Sequence, residues 1–192
     1  MNKKNIKNYL FNGFTLIELL ITVTILVFIS GAIYMGYYLS QKAYREGETR
    51  AEITQNGRVI IERINREIRQ AKEIITELPA TSTEATSTIG FEDGHATISY
   101  RYIFYYQEDN NAKRKVNGYY FSGDLEENLV PWDATPPPEQ ALETKVLEEP
   151  VVIGEWVSNL GFWDSGLVNI RLTLEKKEKT LNLETKIFGR NL

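Results

Sequence analysis

The chain has 192 residues, a formal charge of −4 and no cysteine. That length accommodates one ordinary globular domain plus an appendage. The missing cysteines exclude a disulfide scaffold, a thiolate metal site and a cysteine nucleophile. No dense basic patch favours nucleic acid, and so mild an acidity singles out no partner.

The first element is apolar. Lys3, Lys4 and Lys7 precede Gly13, and from Phe14 to Leu39 the only charge is Glu18. A helix of about 20 apolar residues spans a bilayer core. The preceding lysines put the N-terminus in the cytoplasm, and Tyr34, Tyr37 and Tyr38 fall near the far end, where aromatic rings suit the interface. Three readings fit such a segment: a secretory signal cut near Ser30-Gly31-Ala32, a plain signal anchor, or a processed assembly helix. Glu18 separates them. A carboxylate in an apolar helix costs about 2.5–3.5 kcal/mol at the membrane centre. A signal or plain anchor gains nothing from that charge, whereas an assembly helix gains if a partner cation neutralises it.

The run Gly13-Phe14-Thr15-Leu16-Ile17-Glu18-Leu19-Leu20 resembles the processing site of type IV prepilins and type II secretion pseudopilins. The resemblance implies cleavage after Gly13 by a membrane prepilin peptidase and N-methylation of the new terminus, Phe14. It implies removal of the three lysines, which leaves a formal charge of about −7. It also implies that Glu18, fifth in the mature chain, pairs with the terminal amine of a neighbouring subunit and so fixes axial register. The implied partners are the peptidase, other pilin or pseudopilin subunits, an inner-membrane assembly platform and membrane lipid. The chain lacks the mid-segment proline of many major pilins. Gly31 and Gly36 stand in that region and suit either a loosened helix or close packing against a neighbour.

A second helical pattern follows. Ile53, Ile60, Ile64, Ile68, Ala71, Ile75 and Leu78 form an apolar stripe. Opposite them, Glu62–Arg66, Arg63–Glu67 and Arg69–Glu73 are favourable i,i+4 pairs. No proline lies between Phe14 and Pro79, so the sequence predicts one helix to about Leu78, with bends possible at Gly47 and Gly57. Residues 79–88 are a Ser/Thr-rich connector. Glu92-Asp93-Gly94 reads as a tight turn. Alternation predicts a strand from Ile98 to Tyr106, a polar turn over 107–115 and a return strand over 116–121. Residues 122–145, with three consecutive prolines at 136–138, read as irregular. Val168–Leu174 and Leu181–Ile187 alternate cleanly about a turn at 176–179, which predicts an antiparallel hairpin.

The expected organisation is α+β and pilin-like, with a long N-terminal α-helix packed on one antiparallel β-sheet. A leader occupies 1–13, the transmembrane or filament-core half of the helix 14–39, its amphipathic half 40–78, and an antiparallel β domain 79–192. The order of elements, with Val-Ser-Asn-Leu-Gly-Phe at 157–162 before the final hairpin, resembles J-type minor pseudopilins and W-type minor pilins. K-type tip subunits lack the glutamate, so Glu18 argues against a tip position.

Nothing in the sequence forms a catalytic or cofactor motif. His95 beside Glu92 and Asp93 offers too few ligands for a metal site, and no nucleophile elbow or phosphate-binding glycine loop appears. Glu108–Asn111 and Asp124–Glu127 carry oxygens that suit calcium but read as exposed turns. Trp132, Trp156 and Trp163 read as core and strand packing. The expected function is a structural minor subunit of a type IV pilus, pseudopilus or DNA-uptake filament. It starts as a single-pass protein of the cytoplasmic membrane and ends in a surface or periplasmic filament. The alternatives are a pilin-stemmed surface adhesin or binding module and an anchored exported enzyme built around His95.

Overall fold

A computed structural model describes residues 13–94, 100–164 and 167–188. Among the described residues, helix α1 runs Leu16–Gln70 and is followed by seven strands: β1 (Thr88–Glu92), β2 (Tyr102–Glu108), β3 (Asn111–Phe121), β4 (Leu142–Gly154), β5 (Val157–Asp164), β6 (Val168–Lys176) and β7 (Lys179–Ile187). The chain divides into two compact units, Met1–Gly47 and Glu48–Leu192.

In the first unit the helix exposes its apolar side chains on every face; Leu26, Val27, Phe28 and Ile29 are all more than half exposed. A helix apolar all round belongs in lipid or a multi-subunit core. It is long and apolar enough to cross a membrane. Two of its threonines bond back to the helix: the hydroxyls of Thr22 and Thr24 donate to the carbonyls of Glu18 and Leu20 at 2.6 and 2.8 Å.

In the second unit, the helical stripe Ile53, Ile60, Ile64 and Ile68 enters a core shared by both sheets. One sheet has the order β1-β2-β3-β4 and the other β5-β6-β7, with every pairing antiparallel. Inward residues include Phe91, Tyr105 and Val116 from the first sheet and Phe162, Ile170 and Leu172 from the second. Gly57 lets the helix approach β6 and β7 closely: a Cβ there would sit 2.7 Å from a methyl of Leu183 and 3.0 Å from one of Leu174. The helix runs through Gly57 without a break, and this glycine serves packing.

The helix ends at Gln70, short of the expected Leu78. The β-branched run Ile74-Ile75-Thr76 leaves the helix to bond along β1. The Lys72 and Ile75 N–H groups donate to Glu92 and Gly90 carbonyls at 3.0 and 2.9 Å, and the Glu92 N–H donates to Glu73. Ile74, and not Ile75, then packs on the core. Gly94 permits this ending, because a Cβ there would collide with the Gln70 carbonyl.

The strands also depart from the sequence reading. The connection after β1 is no tight turn; β2 begins only at Tyr102, and Ile98 and Ser99 of the expected strand lie outside the described residues. The turn expected over 107–115 contracts to Asp109-Asn110, both left-handed at φ 50° and 58°, so β2 and β3 reach either side of it as a two-residue hairpin. β4 starts at Leu142, inside the stretch read as irregular. Where one sheet was expected there are two, and the corner between them is Glu155-Trp156. Trp156 adopts φ 61° and its carbonyl accepts from Glu175 N–H of β6 at 2.8 Å. The final hairpin forms as expected, turning at Lys177-Glu178.

Candidate processing and assembly site

Of the residues singled out in the sequence, Glu18 lies in the first turn of α1 and Gly13 and Phe14 lie just before it. Gly13 and Phe14 precede the helix and are exposed, Phe14 by 82%. A Cβ on Gly13 would meet nothing within 4 Å, so the described fold imposes no demand for glycine there. Thr15 and Glu18 close a reciprocal cap. The Thr15 N–H and hydroxyl both donate to Glu18 Oε2, at 3.0 and 2.9 Å, and the Glu18 N–H donates to Thr15 Oγ1 at 3.3 Å. This is a capping box, which satisfies donors that a helix start leaves without partners. Thr15 was not singled out in the sequence, although Thr-x-x-Glu is itself the capping pattern. Glu18 therefore has an intrachain role that the sequence reading had not assigned.

The remaining candidates do not converge. His95 lies outside the described residues. Glu92 is buried and accepts two bonds from Lys72 Nζ, at 2.9 and 3.1 Å, which raise the lysine pKa. Glu108 and Asp109 pair with Lys113. Asp124 accepts the N–H groups of Glu126 and Asn128, which hold its carboxyl below the usual range, while Glu127 pairs with Lys145. Among the described residues no three His, Cys, Asp or Glu side chains gather as metal ligands. Trp163 is buried under the Arg171 guanidinium, and Trp156 lies under Lys176 Nζ at 3.5 Å. Trp132 is partly exposed. Its backbone N–H donates to Tyr102 Oη and its indole N–H to Glu73; burial, the larger effect, pushes the Tyr102 phenol up to about 12.

A polar network between helix and sheet also escaped the sequence reading. Arg114 of β3 reaches Glu67 of α1 at 3.0 Å and Glu148 of β4 at 2.7 Å, and Glu148 also pairs with Arg101. Arg63–Glu67 is the expected i,i+4 pair that joins it, at 3.6 Å. Burial alone would lower the Arg114 pKa, but Glu148 and Glu67 outweigh it and the guanidinium ends up raised. Arg114 in turn holds Glu148 below the usual carboxylate range against a smaller effect of burial. No local signal marks the network, since Glu67 and Arg114 are far apart in sequence.

An N-terminal apolar helix with antiparallel sheets is the α+β architecture of a pilin-like protein. Residues 11–34 match the prokaryotic N-terminal methylation motif, which supports a type IV pilin-like protein. The motif implies processing by a peptidase and assembly with other pilin subunits. No curated protein and no solved structure matches the chain.

Proposed function

We propose that the chain is a structural minor subunit of a type IV pilus, pseudopilus or DNA-uptake filament. It is inserted in the cytoplasmic membrane with its N-terminus inside, cut after Gly13 by a prepilin peptidase and N-methylated on Phe14. An assembly platform then draws it into the filament, where Glu18 pairs with the terminal amine of a neighbour. One coincidence carries the reading: the methylation motif at 11–34 falls on a helix whose exposed apolar surface holds one carboxylate, Glu18, at the turn next to the cleavage point. The strand order through β5 and the final hairpin favours a minor subunit, and Glu18 favours a position behind the tip.

Intact-mass measurement in cells with an active prepilin peptidase tests the processing step. The parent chain is expected to lose residues 1–13 and gain one methyl group, while Gly13→Ala keeps its full mass. A variant processed like the parent overturns the assignment. Stoichiometry in sheared filaments tests the rank: a chain that forms the bulk of the filament is not a minor subunit.

A further inference from the structure

The far end of the apolar run carries an unusual concentration of groups. Tyr34, Tyr38, Lys42 and Arg45 follow one another at spacings of four, four and three along one face of α1, and Tyr37 lies beside them. These side chains line a shallow groove, with Glu46 at its outer end. Tyr34, Tyr37, Tyr38 and Tyr44 are each more than half exposed, so none is used in packing the described chain. Gln41 donates to Tyr37 Oη at 3.3 Å, which holds that phenol toward the polar end.

Their distance from Glu18 matters as much as their chemistry. At about 1.5 Å per residue, the helix rises ~24 Å from Glu18 to Tyr34 and ~30 Å to Tyr38. The larger value matches a hydrocarbon core of about 30 Å, with Tyr34 just inside its far boundary. Tyrosine rings favour the boundary between hydrocarbon and headgroups. Lysine and arginine just beyond it extend toward phosphate.

We propose that Tyr34, Tyr37 and Tyr38, with Lys42 and Arg45, form a collar that grips anionic phospholipid headgroups of the outer leaflet. The collar fixes the depth of α1, so that Glu18 stands at the cytoplasmic interface and not in the centre of the bilayer. The inference rests on the membrane reading above and adds a ligand class and a depth. The mid-membrane cost of the carboxylate then does not arise in the waiting subunit, where the cap with Thr15 sits in a hydrated layer. Glu18 enters an apolar environment only when the subunit rises into a filament, and that movement also releases the collar from its headgroups. A partner amine is therefore needed at the step when the lipid grip is lost.

The natural chain has no cysteine, so single cysteines at Ile17, Leu26 and Ala43 can carry spin labels in the full chain. The chain is reconstituted in phosphatidylcholine vesicles with and without phosphatidylglycerol, and label depth is read from collisions with oxygen and with a water-soluble relaxant. Leu26 is expected to be deepest, with Ile17 and Ala43 both reached by the water-soluble relaxant. In vesicles containing phosphatidylglycerol, K42Q/R45Q and separately Y34A/Y37A/Y38A are expected to shift the profile by up to one helical turn, about 5 Å. An Ile17 label as deep as that at Leu26 overturns the proposal. So does a profile indifferent to both variants and to phosphatidylglycerol. Reversal of the lipid effect by millimolar inorganic phosphate also overturns it, by identifying a soluble-anion site. If all three labels are freely reached by water, the membrane reading itself fails.

Discussion

Thr15 and Glu18 cap each other across the first turn of α1, with the carboxylate held by both the N–H and the hydroxyl of Thr15. Glu18 thus has two separable contributions, a cap within the chain and a charge offered to a neighbour. Gln at the same place retains capping capacity but carries no charge. If the charge sets filament register, Glu18→Gln should assemble as poorly as Glu18→Ala, while Thr15→Ala, which loses a cap worth about 0.5–2 kcal/mol, should still assemble. Filament yield after shearing reads all three. Assembly of Glu18→Gln at the parent level would leave Glu18 with capping alone.

At Gly57 the helix comes close to β6 and β7. Alanine there would gain about 1 kcal/mol of helix propensity but must displace the ends of Leu174 and Leu183. These are flexible side-chain termini, so Gly57→Ala should change stability little. Gly57→Leu cannot be accommodated in this way and should cost about 1–3 kcal/mol. All three tryptophans lie beyond residue 130, so urea unfolding of the full chain in detergent, followed by tryptophan fluorescence, reports the β-bearing unit. A Gly57→Leu chain as stable as the parent would contradict the close approach.

What could be read from the sequence was what local pattern decides. The apolar run and the Gly13–Glu18 motif are contiguous, and the β6–β7 hairpin alternates strictly. The stripe from Ile53 to Ile68 keeps helical spacing and is buried as that spacing requires. The helix end could not be read, because Ala71 and Leu78 continue the spacing while Ile74 and Thr76 are claimed by β1, well downstream. Nor could β4: its glutamates, Pro150 and exposed Val146, Val151 and Val152 give no alternation, and its pairing with β3 holds it extended. The passage from one sheet to the other runs through a left-handed residue, Trp156, a conformation that no local pattern announces. In the candidate site, Glu18 is legible as the single charge of an apolar run, whereas Thr15 is one of several threonines there, and its bond to Glu18 depends on where the helix starts.

Tyr105 offers a test of the core. Its hydroxyl is buried and makes no hydrogen bond of normal geometry among the described residues, although the Glu67 carboxylate lies near enough to act on it; burial first, and then Glu67, push its pKa above the ordinary phenol value. An unsatisfied buried polar group costs about 1–3 kcal/mol. Tyr105→Phe keeps the ring stacked with Phe91 and removes that cost. The variant should therefore be as stable as the parent or more so by up to about 1 kcal/mol. A loss of stability in the same unfolding experiment would mean that the hydroxyl has a partner after all.

The Arg114–Glu148 contact makes the β-bearing unit sensitive to acid. Glu148 has a folded pKa below its ordinary 4.5, chiefly because Arg114 donates to it. A carboxylate with a depressed folded pKa contributes stability that is fully present above its unfolded value and is lost as pH falls through the folded one. The stabilisation should hold at neutral pH and decline once pH drops below about 4.5. Glu148→Gln has no such titration, so it should be less stable than the parent at pH 7 and converge on it toward pH 3. Because Glu148 is well exposed and reachable by solvent, the gap at pH 7 should be modest and should shrink with added salt. Thermal unfolding of both chains across that pH range is the measurement. Parallel curves with a constant separation would show that the ionisation of Glu148 adds nothing to the fold.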